Sequence, residues 1–147
     1  MKRLFCFMIA IAIIAVSLSG CWWYKSYMGK RPCDQSNTKW ISEDGQIYFW
    51  TDEHNYVSGE MLIGDETIDI YVGIGPATEI NIHPLENVTP YDGKIGTGFH
   101  VTGEAVEHWI GDFDYNDQFT ATVKRTTYFN VGDKITFYRV DDDATLP

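Results

Sequence analysis

Basic residues are scarce in this chain of 147 residues. It holds 11 Lys and Arg against 21 Asp and Glu, for a formal net charge of −10. Six of the bases lie in residues 34 to 147 beside all 21 acids, so this part of the chain carries a net charge of −15. Such a surface repels nucleic-acid phosphates, whereas it suits cationic partners and solubility. A nucleic-acid partner is therefore excluded.

Long hydrophobic runs are also missing, apart from one at the start of the chain. The apolar stretch from Leu4 to Leu18 follows Lys2 and Arg3 and ends in small residues. It is shorter than the roughly 20 residues that a membrane-spanning helix needs. Its basic start, apolar centre and small residues follow the order of a secretory signal peptide, which favours a leader of residues 1 to 20 that is cleaved off.

The tetrapeptide Leu18-Ser19-Gly20-Cys21 resembles the lipobox of bacterial lipoproteins. The resemblance implies that a signal peptidase recognises Leu18, Ser19 and Gly20, and that Cys21 becomes the first mature residue, with palmitate-like chains on its sulfur and usually on its amine. Since each buried methylene contributes about 0.8 kcal/mol, two or three chains would anchor the protein firmly. The resemblance thus implies a location at the cell membrane, facing outside the cytoplasm. A Gram-positive surface, a periplasmic leaflet and an outer membrane all remain open.

Cysteine is rare and excludes an internal disulfide from the mature chain. Cys6 lies in the leader and Cys21 is assigned to lipid, so Cys33 has no partner within the chain. Two alternatives follow for Cys33: a disulfide between two copies of the chain, or a tolerated free thiol, which we favour. The oligomeric state is otherwise open. The 127 mature residues are enough for one domain that is stabilised by burial alone.

Residues 21 to 37 are predicted to form a membrane-proximal stem. Residues 21 to 33 contain three basic residues and no acid, interleaved with aromatics. This composition is typical of segments at the lipid headgroup boundary. The residues predicted to contact the membrane surface are Trp22, Trp23, Lys25, Lys30 and Arg31. The alternative is a flexible tether whose aromatics pack on the domain.

Glycine-containing turns predict the hairpins of the body. Gly64-Asp65 suits a two-residue type II′ turn, and it would set Met61 opposite Ile68 on an apolar face and Glu60 opposite Asp69 on the other face. Alternation on both strands agrees with this turn.

Two further turns predict two further hairpins. Asp44-Gly45 separates Thr38 to Glu43 from Gln46 to Thr51 and would place Trp40 across from Phe49. Gly132-Asp133 separates a strand from about Phe119 to Phe129 from a strand over Lys134 to Val140, and loops of two and four residues both remain open. Weaker strand predictions cover Thr78 to His83, Lys94 to Thr102 and Ala105 to Ile110.

No segment has a convincing helical period, although a short helix from Glu104 to Ile110 stays open as an alternative. Eight or nine short strands with turn signals every 8 to 15 residues predict an all-β domain over residues 38 to 140, either a small antiparallel barrel or a sandwich. Residues 141 to 147 open with three aspartates and contain a single large apolar side chain, Leu146. They are predicted to be a disordered tail.

Trp40 and Arg139 resemble the lipocalin arrangement, in which an arginine near the end of the barrel covers a tryptophan near its start. A guanidinium over an indole ring is a favourable cation–π pair. The lipocalin pattern would need glycine where Thr38 stands. The resemblance implies a ligand-sized cup but no named ligand. The predicted lining of such an apolar cavity is Tyr48, Trp50, Phe99 and Trp109.

The richest polar cluster lies at residues 112 to 117. Asp112, Asp114 and Asn116 match the first three oxygen ligands of an EF-hand-type loop, but Asp117 stands where the glycine belongs and Val123 where the bidentate acid belongs. One interpretation is a calcium site of another geometry, formed by Asp112, Asp114, Asn116 and Asp117. The favoured alternative is a solvated acidic turn.

Catalytic signatures are lacking in the sequence. The four histidines have no HExxH spacing, and no serine lies in a nucleophile elbow. Glu60 and Asp69 could share a cation or a proton, but the favoured interpretation is that both side chains lean outward into water. We therefore expect no enzyme and no cofactor. The composition favours a binding module for a small apolar ligand or a protein partner, with a structural, assembly or inhibitory adaptor of the cell envelope and, less favoured, an enzyme as alternatives.

Overall fold

A computed structural model describes residues 28–75, 78–90 and 99–141. The leader, Cys21, the aromatic start of the stem, the strand prediction from Lys94 to Gly98 and the tail beyond Asp141 lie outside these residues. Two short 3₁₀ turns and ten strands are formed. The turns are Pro32–Asp34 and Leu85–Asn87, and the strands are β1 Thr38–Ser42, β2 Ile47–Thr51, β3 Val57–Ile63, β4 Glu66–Ile74, β5 Glu79–Pro84, β6 Val88–Pro90, β7 Phe99–Val101, β8 Glu107–Asp112, β9 Gln118–Thr126 and β10 Lys134–Val140.

Eight of these strands form a closed antiparallel barrel. Neighbouring strands follow the order β1-β10-β9-β8-β5-β4-β3-β2, and β2 pairs with β1 to close the ring. β6 and β7 form a separate two-stranded ribbon. The all-β prediction is confirmed, and of its two alternatives the barrel is correct.

The hairpins with short glycine turns have the predicted registers. Gly64 has φ of +64°, as a tight hairpin turn requires. Met61 lies opposite Ile68 and Glu60 lies opposite Asp69. Trp40 lies opposite Phe49 in the first hairpin. Local turn chemistry and alternation of apolar residues were enough to fix both pairings.

The predicted register of the last hairpin is wrong. β9 ends at Thr126 and Lys134 pairs with Thr122, so neither a loop of two residues nor one of four joins these strands. The Val123 amide donates to the Asp133 carbonyl, and the Gly132 amide donates to the Val123 carbonyl. The chain therefore turns back before Phe129, and residues 127 to 133 form a longer loop.

The segment from Glu104 to Ile110 contains no helix. β8 begins at Glu107 and pairs with β5 on one side and β9 on the other, with a register shift between His108 and Trp109. Seven residues are too few for a stable isolated helix, whereas two strand neighbours supply the backbone with partners.

The described part of the predicted stem packs on the barrel. Thr51 donates its hydroxyl to the Pro32 carbonyl over 3.0 Å, and Thr38 donates its hydroxyl to the Gln35 carbonyl over 2.9 Å. Pro32 is buried, and Cys33 packs against the core. We call this the covered end of the barrel. The opposite end carries the start of β8, the end of β9 and the start of β10.

The barrel interior is filled by aromatic and aliphatic side chains. Phe119 and Phe137 stack with ring centroids 4.8 Å apart, and the edge of Trp40 meets Phe119 at 5.5 Å. The largest buried side chains are Trp40, Trp109, Phe113, Phe119, Phe137, Ile47 and Met61. An eight-stranded barrel is just wide enough for side chains to fill it. Trp40 lies opposite Arg139 in the register. Among the described residues, packed side chains occupy the barrel interior where the lipocalin resemblance would imply a ligand-sized cup.

Candidate binding surface

The predicted ligand cavity is not formed. Tyr48 and Trp50 alternate with the buried Phe49 and therefore face outward from β2. Trp109 is part of the packed core, with 1% of its surface exposed. Phe99 lies on the separate ribbon. Tyr48, Trp50 and Trp109 therefore do not line one space, because the sequence did not reveal which face of β2 turns inward.

The outward aromatics instead form one continuous surface on the side of the barrel. Ile41 lies opposite Tyr138 on one side and Tyr48 on the other. Trp50 and Val140 lie one row nearer the covered end, on either side of Lys39 of β1. We call these five residues the aromatic face. Trp50 is 36% exposed and Tyr138 is 40% exposed. Exposed Trp and Tyr are typical of the centres of protein interfaces.

A tyrosine connects this face to the acidic pair. The Tyr48 hydroxyl donates a hydrogen bond to the Glu60 carboxylate. This bond, together with burial and the charges of Glu60 and Asp69, raises the pKa of Tyr48 to about 12. Glu60 and Asp69 are neighbours in the register, as predicted. Glu60 uses one carboxylate oxygen to accept from a neutral phenol, so the ring of Tyr48 is fixed in orientation.

The acidic turn at residues 112 to 117 does not form the predicted calcium site. In the described part of the chain, no three His, Cys, Asp or Glu side chains lie close enough to hold one ion, so Asp112, Asp114, Asn116 and Asp117 are not brought together as ligands. Burial and the nearby Asp114 raise the pKa of Asp112. Phe113 explains the turn, because its ring is 98% buried and packs 5.0 Å from Phe119.

The basic residues of the predicted stem make contacts within the protein. Arg31 is 8% exposed and donates to both carboxylate oxygens of Asp34 over 2.7 Å and to the Gly75 carbonyl over 3.0 Å. The predicted membrane contact of Arg31 is therefore wrong, since its charge is already paired. Lys30 is half-buried and donates to the Asp114 carbonyl. Trp22, Trp23 and Lys25 lie outside the described residues.

A buried carboxylate that the sequence analysis missed lies at the opposite end. Glu107 has no exposed surface, and it accepts hydrogen bonds from the Trp109 indole over 2.8 Å and the Thr126 hydroxyl over 2.9 Å. It also accepts from the amides of Thr127 and Tyr128 over 2.8 and 3.1 Å. The alternation of β8 could have revealed it, because Glu107 shares the inward face with Trp109.

A surface depression of mixed polar and apolar lining is open to solvent. It measures about 620 Å³ and lies over β4, β5 and the chain before β8, with Gly73, Asn81, His83, Glu104 and Arg125 among its lining residues. His108 Nδ1 lies 2.9 Å from the Asn81 side-chain oxygen. Burial lowers the pKa of His83, and its Nδ1 has no hydrogen-bond partner among the described residues. This surface does not resemble the apolar cavity that was predicted.

Comparisons with protein-family models, with curated proteins and with solved structures each return no match to this chain. Among the described residues, no helix is long and apolar enough to cross a bilayer. The fold and the geometry of these residues are therefore the basis for the functional argument.

Proposed function

We propose that this chain is a lipid-anchored binding module outside the cytoplasm, that it is not an enzyme, and that its ligand is a protein. The observation that carries the proposal is the filled interior of the barrel. A ligand has to bind the outer surface, and there the aromatic face offers adjacent apolar rings instead of a concave pocket. Flat aromatic surfaces suit protein partners better than small molecules, which bind in clefts.

The membrane anchor in this proposal is supported by Leu18-Ser19-Gly20-Cys21 and by the apolar leader before it. Metabolic labelling with palmitate in a bacterial host tests this part. The full chain should incorporate label and lose its leader, whereas Cys21→Ser should do neither. An unlabelled full chain with an intact leader would refute the anchor.

The aromatic face is tested by site-specific photo-crosslinking in the same host. A photoreactive amino acid at Trp50 or Tyr138 should give one discrete crosslinked protein. The matched control is Thr122, which also faces outward from the barrel but lies on β9, away from the aromatic face. Crosslinks of equal yield at Thr122 would show random collisions and would count against the proposal.

A further inference from the structure

The aromatic face continues across the barrel into two carboxylates. In the strand register, Tyr138 is followed by Ile41, Tyr48, Glu60 and Asp69 in one row across β10, β1, β2, β3 and β4. Four strand spacings of about 4.8 Å separate the ends of this row, so it is roughly 19 Å long. An extended peptide of about six residues would cover it.

The row ends beside a depression on the outside of the barrel, which we call the acidic notch. The notch measures about 490 Å³ and is lined by Thr67, Ile68, Asp69, Pro84, Leu85 and Glu86. Leu85 is 41% exposed, and both acids of the lining are exposed as well. A lysine or arginine side chain suits such a lining, because its methylene stem packs on apolar atoms while its charged end meets carboxylates.

The acids of the row and of the notch have no cation to balance them. None of the ion pairs formed by the described residues includes Glu60, Asp69 or Glu86. Glu60 accepts its hydrogen bond from the neutral phenol of Tyr48. Because Glu60 and Asp69 lie directly opposite each other, their like charges repel. A cation supplied by a partner would reduce this repulsion.

The strands that carry the row are acidic as a group. Residues 38 to 75 and 134 to 141 form these five strands and the turns beside them, and they contain nine acids against three bases. The acids are Glu43, Asp44, Asp52, Glu53, Glu60, Asp65, Glu66, Asp69 and Asp141. This side of the barrel therefore carries a net negative charge.

The three bases do not reverse this charge where the row lies. Lys134 lines a separate small depression together with Glu43 and Asp44. Arg139 donates to the Gln35 side chain at the covered end. Lys39 lies within the aromatic face, between Trp50 and Val140. One base thus stands on the face itself, against the two acids that end the row and the further acid of the notch.

This distribution of charge decides between the possible occupants. Anionic lipid would bring further negative charge against Glu60 and Asp69. A symmetric dimer would set the same acidic face of two copies against each other. A basic segment of another protein instead brings the opposite charge, and its arginines would also stack favourably on the exposed rings of Trp50 and Tyr138.

We infer that the aromatic face and the acidic notch together bind an extended segment of another protein that is rich in arginine or lysine. One cation of the segment lies over Trp50 or Tyr138, and a second cation meets Asp69 and Glu86. This inference rests on the proposed function and adds the chemistry of the partner to it. Anionic lipid and a second copy of this chain are the competing occupants, and the experiments below separate them.

Defined peptides test the charge of the partner. The probe is a short fluorescent peptide of alternating arginine and leucine, compared with the same peptide carrying glutamate for arginine, against the full chain in neutral detergent. The basic peptide should bind at least about tenfold more tightly. Asp69→Asn and Trp50→Ala should each weaken the basic peptide about tenfold. Asp114→Asn, the same charge change on the opposite side of the barrel, should weaken it less than about twofold.

Urea unfolding of the same variants separates binding from stability. Asp69→Asn removes one of two facing like charges, so its urea midpoint should stay equal or rise while its affinity falls. A fall in both would mean that Asp69 has a structural role, and it would count against the inference. Equal binding of the two peptides, or an equal loss with Asp114→Asn, would overturn it. If Trp50→Ala fails to fold, Asp69→Asn still decides the question, because its side chain is exposed.

Photo-crosslinking in the host identifies the natural occupant. A photoreactive amino acid at Leu85, in the acidic notch, should capture the same protein as one at Trp50. Mass spectrometry of the crosslinked peptides should find a segment with an excess of Lys and Arg. Crosslinks to lipid, to a second copy or to a segment without that excess overturn the inference.

The crosslinking positions also separate this inference from the proposed function. Crosslinks to a protein at Trp50 and Tyr138 with none at Leu85 would refute the acidic notch alone. The lack of crosslinks at all three positions would refute the proposed function as well.

Discussion

Two glycines in neighbouring strands illustrate how differently single positions are constrained. A Cβ on Gly59 would lie 2.3 Å from the Tyr48 carbonyl oxygen and 2.5 Å from the Phe49 Cβ, so the backbones would have to separate. A Cβ on Gly73 would lie no closer than 3.7 Å to any atom. The first position requires glycine for close strand approach, and the second does not.

Alanine substitutions should therefore have opposite effects. Gly59→Ala is expected to lower the free energy of unfolding by about 1–3 kcal/mol or more through overpacking. Gly73→Ala should leave it unchanged or raise it by up to about 1 kcal/mol, since alanine restricts the unfolded chain. Urea unfolding followed by tryptophan fluorescence compares the two, and a similar loss for both variants would contradict this account.

Glu107 and Glu104 are a matched pair of acids three residues apart. Glu107→Gln puts an amide group where a carboxylate accepts four hydrogen bonds, so we expect a loss of about 1–3 kcal/mol. Glu104→Gln breaks an exposed ion pair with Arg125 and should cost less than about 1 kcal/mol. The same urea experiment measures both values. Equal losses would mean that the burial of Glu107 makes no additional contribution to the free energy of unfolding.

Cys33 is expected to react slowly in the folded protein. Burial raises the pKa of its thiol to about 11, against a smaller opposite effect of Arg31. Because the thiolate is the reactive form, maleimide labelling at pH 7.5 should be at least about tenfold slower than in guanidinium chloride. A chain with Cys6→Ser and Cys21→Ser isolates this thiol. Fast labelling, or a covalent dimer on a non-reducing gel, would favour the intermolecular disulfide.

At the scale of elements, the N-terminal segment behaves as part of the barrel. Burial alone would raise the pKa of Asp34, but the hydrogen bonds from Arg31 and the Gly29 amide outweigh burial and hold the pKa below its ordinary 3.8. A carboxyl group whose pKa is lower in the folded than in the unfolded chain stabilises the protein at pH values above its pKa in the unfolded chain. This stabilisation is lost as the pH falls through the pKa of the group in the folded protein.

Arg31→Ala should therefore destabilise the protein in a pH-dependent way. We expect a loss of about 1–3 kcal/mol at pH 7, since a buried charged pair loses one member. The difference in the free energy of unfolding between Arg31→Ala and the unsubstituted chain should shrink below about pH 4. As the pH falls there, Asp34 becomes protonated in the unfolded chain before it does so in the folded protein. Lys30→Ala, an equal charge change at a half-buried side chain that bonds a backbone carbonyl, is the control, with an expected loss under about 1 kcal/mol. Denaturant titrations from pH 3 to pH 7 provide the measurement.

Elements built on local signals were predictable from the sequence. Gly64-Asp65 and Asp44-Gly45 fix their hairpins because turn geometry and alternation act within a few residues. The loop over residues 127 to 133 was not predictable from the sequence. Its backbone conformation depends on hydrogen bonds to Glu107, which lies nineteen residues before Thr126 along the chain. Phe113 was missed for a related reason: its acidic neighbours suggested ligands, whereas its ring closes the barrel interior.

For the whole molecule, the sequence predicted strands but not closure or a filled interior. The barrel closes only because β5 pairs with β8, although the β6–β7 ribbon and its flanking segments separate these strands along the sequence. No local sequence pattern encodes such a pairing. Filling depends on which residues turn inward. Tyr48 and Trp50, which were predicted to line a cavity, accordingly lie on the outside of the barrel.

A filled interior predicts that the barrel does not bind fatty acids. Titration with a fluorescent fatty acid should show no saturable one-to-one binding and no quenching of the buried Trp40 and Trp109, because no space of that size exists between their rings. A lipocalin-type protein of similar size with an open interior is the positive control. Saturable quenching at micromolar concentration would restore the small-ligand hypothesis.

The ring closure between β1 and β2 has a consequence for contacts between copies of the chain. Every barrel strand has a paired neighbour on each side, so the barrel offers no free edge strand to which a neighbouring copy could add a strand. A partner of the barrel is therefore expected to be recognised through outward side chains and not through backbone pairing.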